Sequence, residues 1–271
     1  MPNDPQSSPA SIQRWKNGTL QLRVDDSLAV EEPMEIRVRG QNVAVTMRTP
    51  GHDAELTAGF LLTEGLVKCR EDIKEIAHCR KAETDVQENT LNVFLAPNVD
   101  VDMESLTRHV FASSSCGICG KATIESVQQN FDPIESIFCI SPETITSLPA
   151  MLRKAQATFD QTGGLHAGAV FDAKGTLIVC REDVGRHNAV DKVIGYGLLN
   201  GKSFAKSVLI VSGRASFEIM QKALAARVPI VAAISAPSSL AVDFARESGQ
   251  TLIGFLRGET MNVYTHPERI E

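Results

Sequence analysis

The chain is poor in aromatic residues, with one Trp and two Tyr among 271 residues, and it has no excess of basic charge. With 33 Asp+Glu against 27 Lys+Arg its formal net charge is −6, which argues against a protein built mainly to coat nucleic acid or an anionic membrane. No uninterrupted apolar stretch approaches the ~18 residues a membrane helix needs; residues 228–236 are the most apolar and are broken by Pro229. The N-terminal residues are polar and carry Asp4 and three prolines, where a signal peptide needs basic residues and then an apolar run. Six cysteines, at 69, 79, 116, 119, 139 and 180, are too few and too irregular for the disulfide framework of a small secreted domain. These absences lead us to expect a cytoplasmic protein with reduced thiols and with no nucleic-acid or membrane partner. The rest, 43% apolar and 22% charged, is ordinary globular composition.

Residues 1–14 read as a disordered tail, because Pro, Ser, Asn and Gln give little to bury. Alternating segments at 20–24, 34–39 and 43–47, with Gly40-Gln41-Asn42 between the last two, predict an antiparallel sheet. A helix follows, with Leu56, Phe60 and Leu61 on one face and Gly65 as its stop, then strands at 73–79 and 91–95. From residue 145 helices alternate with strands. One helical face runs Ile145, Leu148, Leu152, Ala155, Phe159, and a hairpin turns at Asp172-Ala173-Lys174-Gly175. Helices near 187–199, 216–226 and 239–247 are interleaved with apolar strands at 207–211, 229–234 and 251–255. Continuous apolar strands between helices indicate a sheet covered on both faces. The fold class expected is therefore α/β, with a three-layer α/β/α C-terminal domain over residues 133–271 and a smaller α+β N-terminal domain over residues 15–132.

Three stretches can carry chemistry. The first is Ser113-Ser114-Ser115-Cys116-Gly117-Ile118-Cys119-Gly120-Lys121, a CxxC bracketed by glycines and small residues. Lys121 and a following helix start favour the thiolate, the reactive form of cysteine. A zinc knuckle would need two further ligands, and Cys69, His78 and Cys79 offer no second CxxC. A thioredoxin-type dithiol would sit between a strand and the first helix of a βαβ unit, whereas α+β material precedes this one. A reactive thiol pair is the stronger reading. Cys69, Cys79, Cys139 and Cys180 lie in or beside apolar strand patterns and read as inert packing.

The second stretch is a set of polar loops that follow strands: Gly163-Gly164-Leu165-His166, then Arg181-Glu182-Asp183-Val184-Gly185-Arg186-His187-Asn188, then Ser212-Gly213-Arg214-Ala215-Ser216. Loops at the carboxyl ends of strands form the ligand crevice of an α/β sheet, and the helices beginning there offer N–H groups to anions. Arg186 and Arg214 fit a phosphate or diphosphate; helix caps and surface ion pairs account for the same residues, as structural histidines account for His166 and His187. The third stretch is Phe255-Leu256-Arg257-Gly258-Glu259-Thr260. Phe255 can stack on a planar ring and Arg257 can hold a phosphate, and a strand, turn and strand with a solvated arginine explains the same letters.

Taken together, these motifs resemble the formate dehydrogenase accessory sulfurtransferases, the FdhD family. The likeness rests on Ser-Ser-Cys116-Gly-Ile-Cys119-Gly, Thr162-Gly-Gly-Leu-His166, the run from Arg181 to Lys192, Ser212-Gly-Arg-Ala-Ser-Phe-Glu218, Ser235-Ala-Pro-Ser238 and Gly254-Phe-Leu-Arg257-Gly. It implies a sulfurtransferase that takes persulfide sulfur from a cysteine desulfurase and delivers it to the molybdenum or tungsten bis(guanine dinucleotide) cofactor used by formate dehydrogenase. By the same resemblance Cys116 carries the persulfide and Cys119 assists. Phe255, Leu256, Arg257, Gly258, Glu259 and Thr260 contribute to cofactor binding with His166, Arg186, His187 and Arg214, and GDP should mimic the ligand. A homodimer and contact with the catalytic subunit of formate dehydrogenase are implied too. The family's C-terminal domain is similar to a cytidine deaminase, yet the H-x-E and P-C-x-x-C that zinc deamination needs are missing here, so no metal site is expected. A different class of reading, a non-catalytic chaperone whose cysteines only tether a partner, stays open.

Overall fold

The computed structural model describes residues 6–79, 88–99 and 131–271. Strands β1 (Ser7–Lys16) and β2 (Thr19–Ala29) form a separate antiparallel ribbon. The disorder expected over residues 1–14 therefore fails from Ser7 onward: cross-strand backbone hydrogen bonds need no apolar side chains, and the ribbon leaves Trp15 and Leu22 exposed. Its inner end is tied down where Gln6 Nε2 donates to the Pro50 carbonyl at 3.2 Å and Thr158 Oγ1 donates to Gln6 Oε1 at 2.8 Å.

Strands β3 (Glu32–Val38), β4 (Gln41–Arg48), β5 (Ile73–His78) and β6 (Thr90–Leu95) make a four-stranded sheet in the order β4-β3-β6-β5. Helix α1 (Asp53–Thr63) covers it and stops at Gly65, whose φ is +76°. Met34, Ile36, Leu56, Leu61, Leu91 and Val93 form the core of this unit.

The larger sheet has six strands in the order β12-β11-β10-β9-β7-β8. These are β7 (His166–Phe171), β8 (Leu177–Asp183), β9 (Val208–Val211), β10 (Ile230–Ala233), β11 (Thr251–Arg257) and β12 (Thr260–Thr265). Both faces are buried, as continuous apolar strands require. Val208, Ile210, Ile230 and Ala232 meet Ile145, Leu148 and Leu152 of α2 (Pro142–Ala155). Their neighbours Leu209, Val211, Val231 and Ala233 face α4 (Arg186–Leu199), α5 (Phe217–Ala225) and α6 (Ser239–Glu247). The expected single helical face through Phe159 is instead two helices. The chain breaks at Gln156, with φ −91° and ψ 69°, and resumes as α3 (Ala157–Thr162), whose first N–H groups donate to the Glu182 carboxylate.

Two of the cysteines expected to pack do not. Cys69, which precedes a short 3-10 turn, and Cys139, next to the buried Phe138 and Ile140, are exposed. Cys180 is partly buried, and desolvation pushes its thiol up to about 12. No helix among the described residues is long and apolar enough to cross a membrane.

Candidate ligand crevice

Strand direction assembles the site. β8 and β9 each run antiparallel to β7, while β10 is parallel to β9 and to β11. The carboxyl ends of β8, β9, β10 and β11 and the beginning of β7 therefore share one edge of the sheet. That edge gathers His166, the 184–187 turn, the 212–216 loop, residues 234–238 and the 255–259 turn. The loops are linked to each other: Ser238 N–H donates to the Ala215 carbonyl at 3.0 Å, and Phe255 N–H to the Ser235 carbonyl at 3.1 Å.

Gly213 lets two candidate residues approach the same backbone. A side chain there would begin 3.4 Å from His166 Nδ1 and 3.7 Å from Arg186 Cδ. Arg186 occupies the first turn of α4, whose N-cap Gly185 supplies no side-chain cap, and its Nε is buried without a hydrogen-bond partner. A buried donor left unpaired costs free energy, and an acceptor on a bound ligand would recover it. His187 Nε2 lies 2.9 Å from Glu218 Oε2 and 3.3 Å from Ser216 Oγ. That hydrogen bond, with Arg186 and Lys222 nearby, holds the Glu218 carboxyl below the usual range. Burial first, then Arg186 and His187, hold the His166 imidazole below its ordinary value, so it is uncharged at neutral pH. Arg214 is exposed beside Gly213.

The 255–260 run divides. Phe255 has a left-handed φ of +51° and is 40% exposed, with the Arg257 guanidinium carbon 5.9 Å from its ring centre. Arg257 Nε donates to the Ile234 carbonyl at 3.0 Å, which pins it to the crevice rim. Leu256 is fully buried in the core beside α2, so it supports the turn from beneath. Gly258, with φ +52°, closes the turn, Glu259 is exposed, and Thr260 Oγ1 donates to the Arg257 carbonyl at 3.0 Å. Cys116 and Cys119 lie outside the described residues.

Most of the run from Arg181 to Lys192 turns out to be framework. Arg181 grips Glu55 through two hydrogen bonds of 2.6 and 2.8 Å. Asp191 pairs with Lys222 at 2.8 Å and accepts a hydrogen bond from Thr63. Asn188 donates to Asp183 and to the Met47 carbonyl. These contacts fasten the four-stranded unit and α1 to the large sheet, and they leave Arg186 and His187 as the members of the run on the crevice.

A family model described as FdhD/NarQ matches residues 29–271. The chain belongs to the FdhD/NarQ family. It is 51% identical over 250 residues to a protein of Mycolicibacterium paratuberculosis named sulfur carrier protein FdhD, covering 90% of this chain and 92% of that one. It is 48% identical over 263 residues to the protein of that name from Streptomyces coelicolor, covering 95% and 93%. A crystal structure from Desulfotalea psychrophila, of a protein assigned as a formate dehydrogenase accessory protein, superposes with a TM-score of 0.80 at 28% identity, covering 98% of this chain and all of that one. The crevice and its buried framework are thus features of a chain aligned with FdhD relatives along nearly its whole length.

Sequence reasoning missed Glu218. Glu218 closed a motif but was not assigned to the site, although an acid two residues past a helix-capping serine faces whatever the preceding loop holds.

Proposed function

We propose that this chain is a sulfur carrier serving formate dehydrogenase. The thiolate of Cys116 attacks the outer sulfur of a cysteine desulfurase persulfide. The donor's S–S bond breaks, the donor leaves as a thiolate, and Cys116 holds the sulfur as its own persulfide. Cys119 then attacks the inner sulfur on Cys116, the persulfide S–S bond breaks, and the outer sulfur leaves at the sulfide level as a ligand for a molybdenum or tungsten bis(guanine dinucleotide) cofactor, here the substrate, while a thiol reductant returns the resulting Cys116–Cys119 disulfide to its two thiols. Labour divides along the chain: residues 15–132 bring the thiol pair, and residues 133–271, a cytidine-deaminase-like unit, bring the crevice.

One observation carries the binding half of this reading. The partnerless Arg186 Nε sits at the start of α4, beside His166 and next to the start of α5, where an anionic phosphate would find its donors. The names of the relatives support the sulfur half. The deciding experiment is maturation of formate dehydrogenase with a Cys116→Ala variant. The dehydrogenase should acquire cofactor that lacks its sulfido ligand. Full dehydrogenase activity would instead favour a non-catalytic chaperone.

A further inference from the structure

The β1–β2 ribbon lies almost wholly outside residues 29–271, the part of the chain that the family model matches. The Gln6 contacts hold its inner end, and from Gln13 to Arg23 every residue is exposed. At ~3.3 Å per residue the strands carry their turn at Asn17-Gly18 roughly 30 Å from that inner end. The two faces of the tip differ. Trp15 is the register partner of Leu20, and Leu22 follows two positions along β2, so the three share one face. All three are exposed, Trp15 by 71%. Arg14 and Lys16 alternate with Trp15 and take the other face, while Arg23, with a left-handed φ of +54°, sits where the register shifts. Arg14 reaches back to Asp26 at 3.7 Å. No acidic residue lies between positions 13 and 23.

We infer that this tip is an anchor for an anionic lipid surface: Trp15, Leu20 and Leu22 enter the headgroup region, and Arg14, Lys16 and Arg23 meet the phospholipid charges. A two-stranded ribbon alone is marginal in water, and its apolar face gains by leaving it. The tip is convex, so a protein partner must offer a pocket shaped to it, whereas a lipid–water interface yields to its shape. Trp is favoured at headgroup depth, and Lys and Arg beside it attract anionic headgroups. Charge also selects the direction of approach. The chain carries −6 overall, and setting aside the tip's three cations leaves the remainder more acidic still. An anionic surface therefore repels the body and attracts the tip. Surface attachment needs neither a spanning helix nor a basic chain, the two grounds on which no membrane partner was expected. So small an apolar face gives reversible attachment, not insertion.

Trp15 is the one tryptophan of the chain, so its emission reports on the tip alone. The whole protein is titrated with vesicles of phosphatidylcholine, and with vesicles of phosphatidylcholine mixed with phosphatidylglycerol, and sedimentation of the vesicles gives a second measure. On the mixed vesicles the emission should shift to the blue and the protein should sediment, at least about tenfold more tightly than on phosphatidylcholine. Added salt should weaken the binding. Lys16→Glu combined with Arg23→Glu, and Leu22→Ser by itself, should each weaken it about tenfold and leave the Tm unchanged, because these side chains are exposed. The comparison of the two vesicles needs no variant and decides the matter if one fails to fold. No binding to the mixed vesicles, or equal binding to both kinds, overturns the inference. A blue emission without lipid that reverts on dilution shows a second copy on the tip and also overturns it. So does a dehydrogenase subunit that captures the wild type but not Leu22→Ser while vesicles leave the emission unchanged, which makes the tip a protein-docking surface. None of these outcomes bears on Cys116 or the crevice, so the proposed function stands or falls separately.

Discussion

Asp183 and Lys192 meet 2.7 Å apart with neither side chain exposed to solvent. The carboxylate also accepts from the Thr49 N–H at 3.1 Å and the Gly185 N–H at 2.8 Å, and Lys192 donates to the Thr49 carbonyl at 2.8 Å. The pair therefore joins the end of β8, the middle of α4 and the chain that enters α1. Removing one partner of a buried pair strands the other charge, at a cost of about 3–5 kcal/mol. Lys192→Met should lose that much stability in urea unfolding. A loss under about 1 kcal/mol would show that the neighbouring hydrogen bonds, not the pair, hold this joint.

Helices α1 and α4 cross with glycine against backbone. A Cβ on Gly195 would sit 1.8 Å from the Glu55 carbonyl oxygen, and one on Gly59 would sit 1.9 Å from that of Asp191. Nothing flexible can yield at either place. Gly195→Ala should force the helices apart and cost about 1–3 kcal/mol or more, read as a lowered Tm. An unchanged Tm would mean that the crossing is looser than its geometry.

The crevice and the thiols should separate by mutation. Arg186→Ala removes the partnerless donor, so GDP affinity should fall at least about tenfold while persulfide loading of Cys116 proceeds. Arg257→Ala frees the Ile234 carbonyl from its hydrogen bond and should weaken GDP in the same way. If loading fails in either variant, the division of labour between thiols and crevice is wrong.

Ligand binding should depend on pH through His166. Its free imidazole is held below the ordinary value by burial, Arg186 and His187. A phosphate docking beside Arg186 stabilises the protonated ring, so its pKa rises in the complex. GDP affinity should then strengthen as pH falls from neutrality through the complex's pKa and level off below that of the free protein. Asp183, His187 and Glu218 share this surrounding, and titrating them alone would leave the slope unchanged in His166→Gln. Loss of the slope in that variant assigns it to His166.

The layered sheet was legible because apolar runs such as residues 208–211 and 230–233 alternate with amphipathic helices, and each strand's two faces are both filled. The roles of Asp183, Asp191 and Lys192 were not. They form one sequence run with Arg186 and His187, and only burial separates charges that fasten α1 and the four-stranded sheet to the large sheet from charges that face the crevice. Strand β2 was expected at 20–24, but as part of the sheet with 34–39 and 43–47; its partner β1 was missed since its order comes from backbone pairing and the Gln6 contacts, which leave no apolar pattern. Leu256 was grouped with its neighbours by motif, but strand alternation turns it into the core while Phe255 and Arg257 turn outward.

The most direct test is to incubate the reduced protein with a cysteine desulfurase and free cysteine, record its intact mass, and map added sulfur by peptide. One extra sulfur on the Cys116 peptide, removed by reductant, is the predicted result. No added sulfur while the desulfurase turns over would contradict the account at its first step.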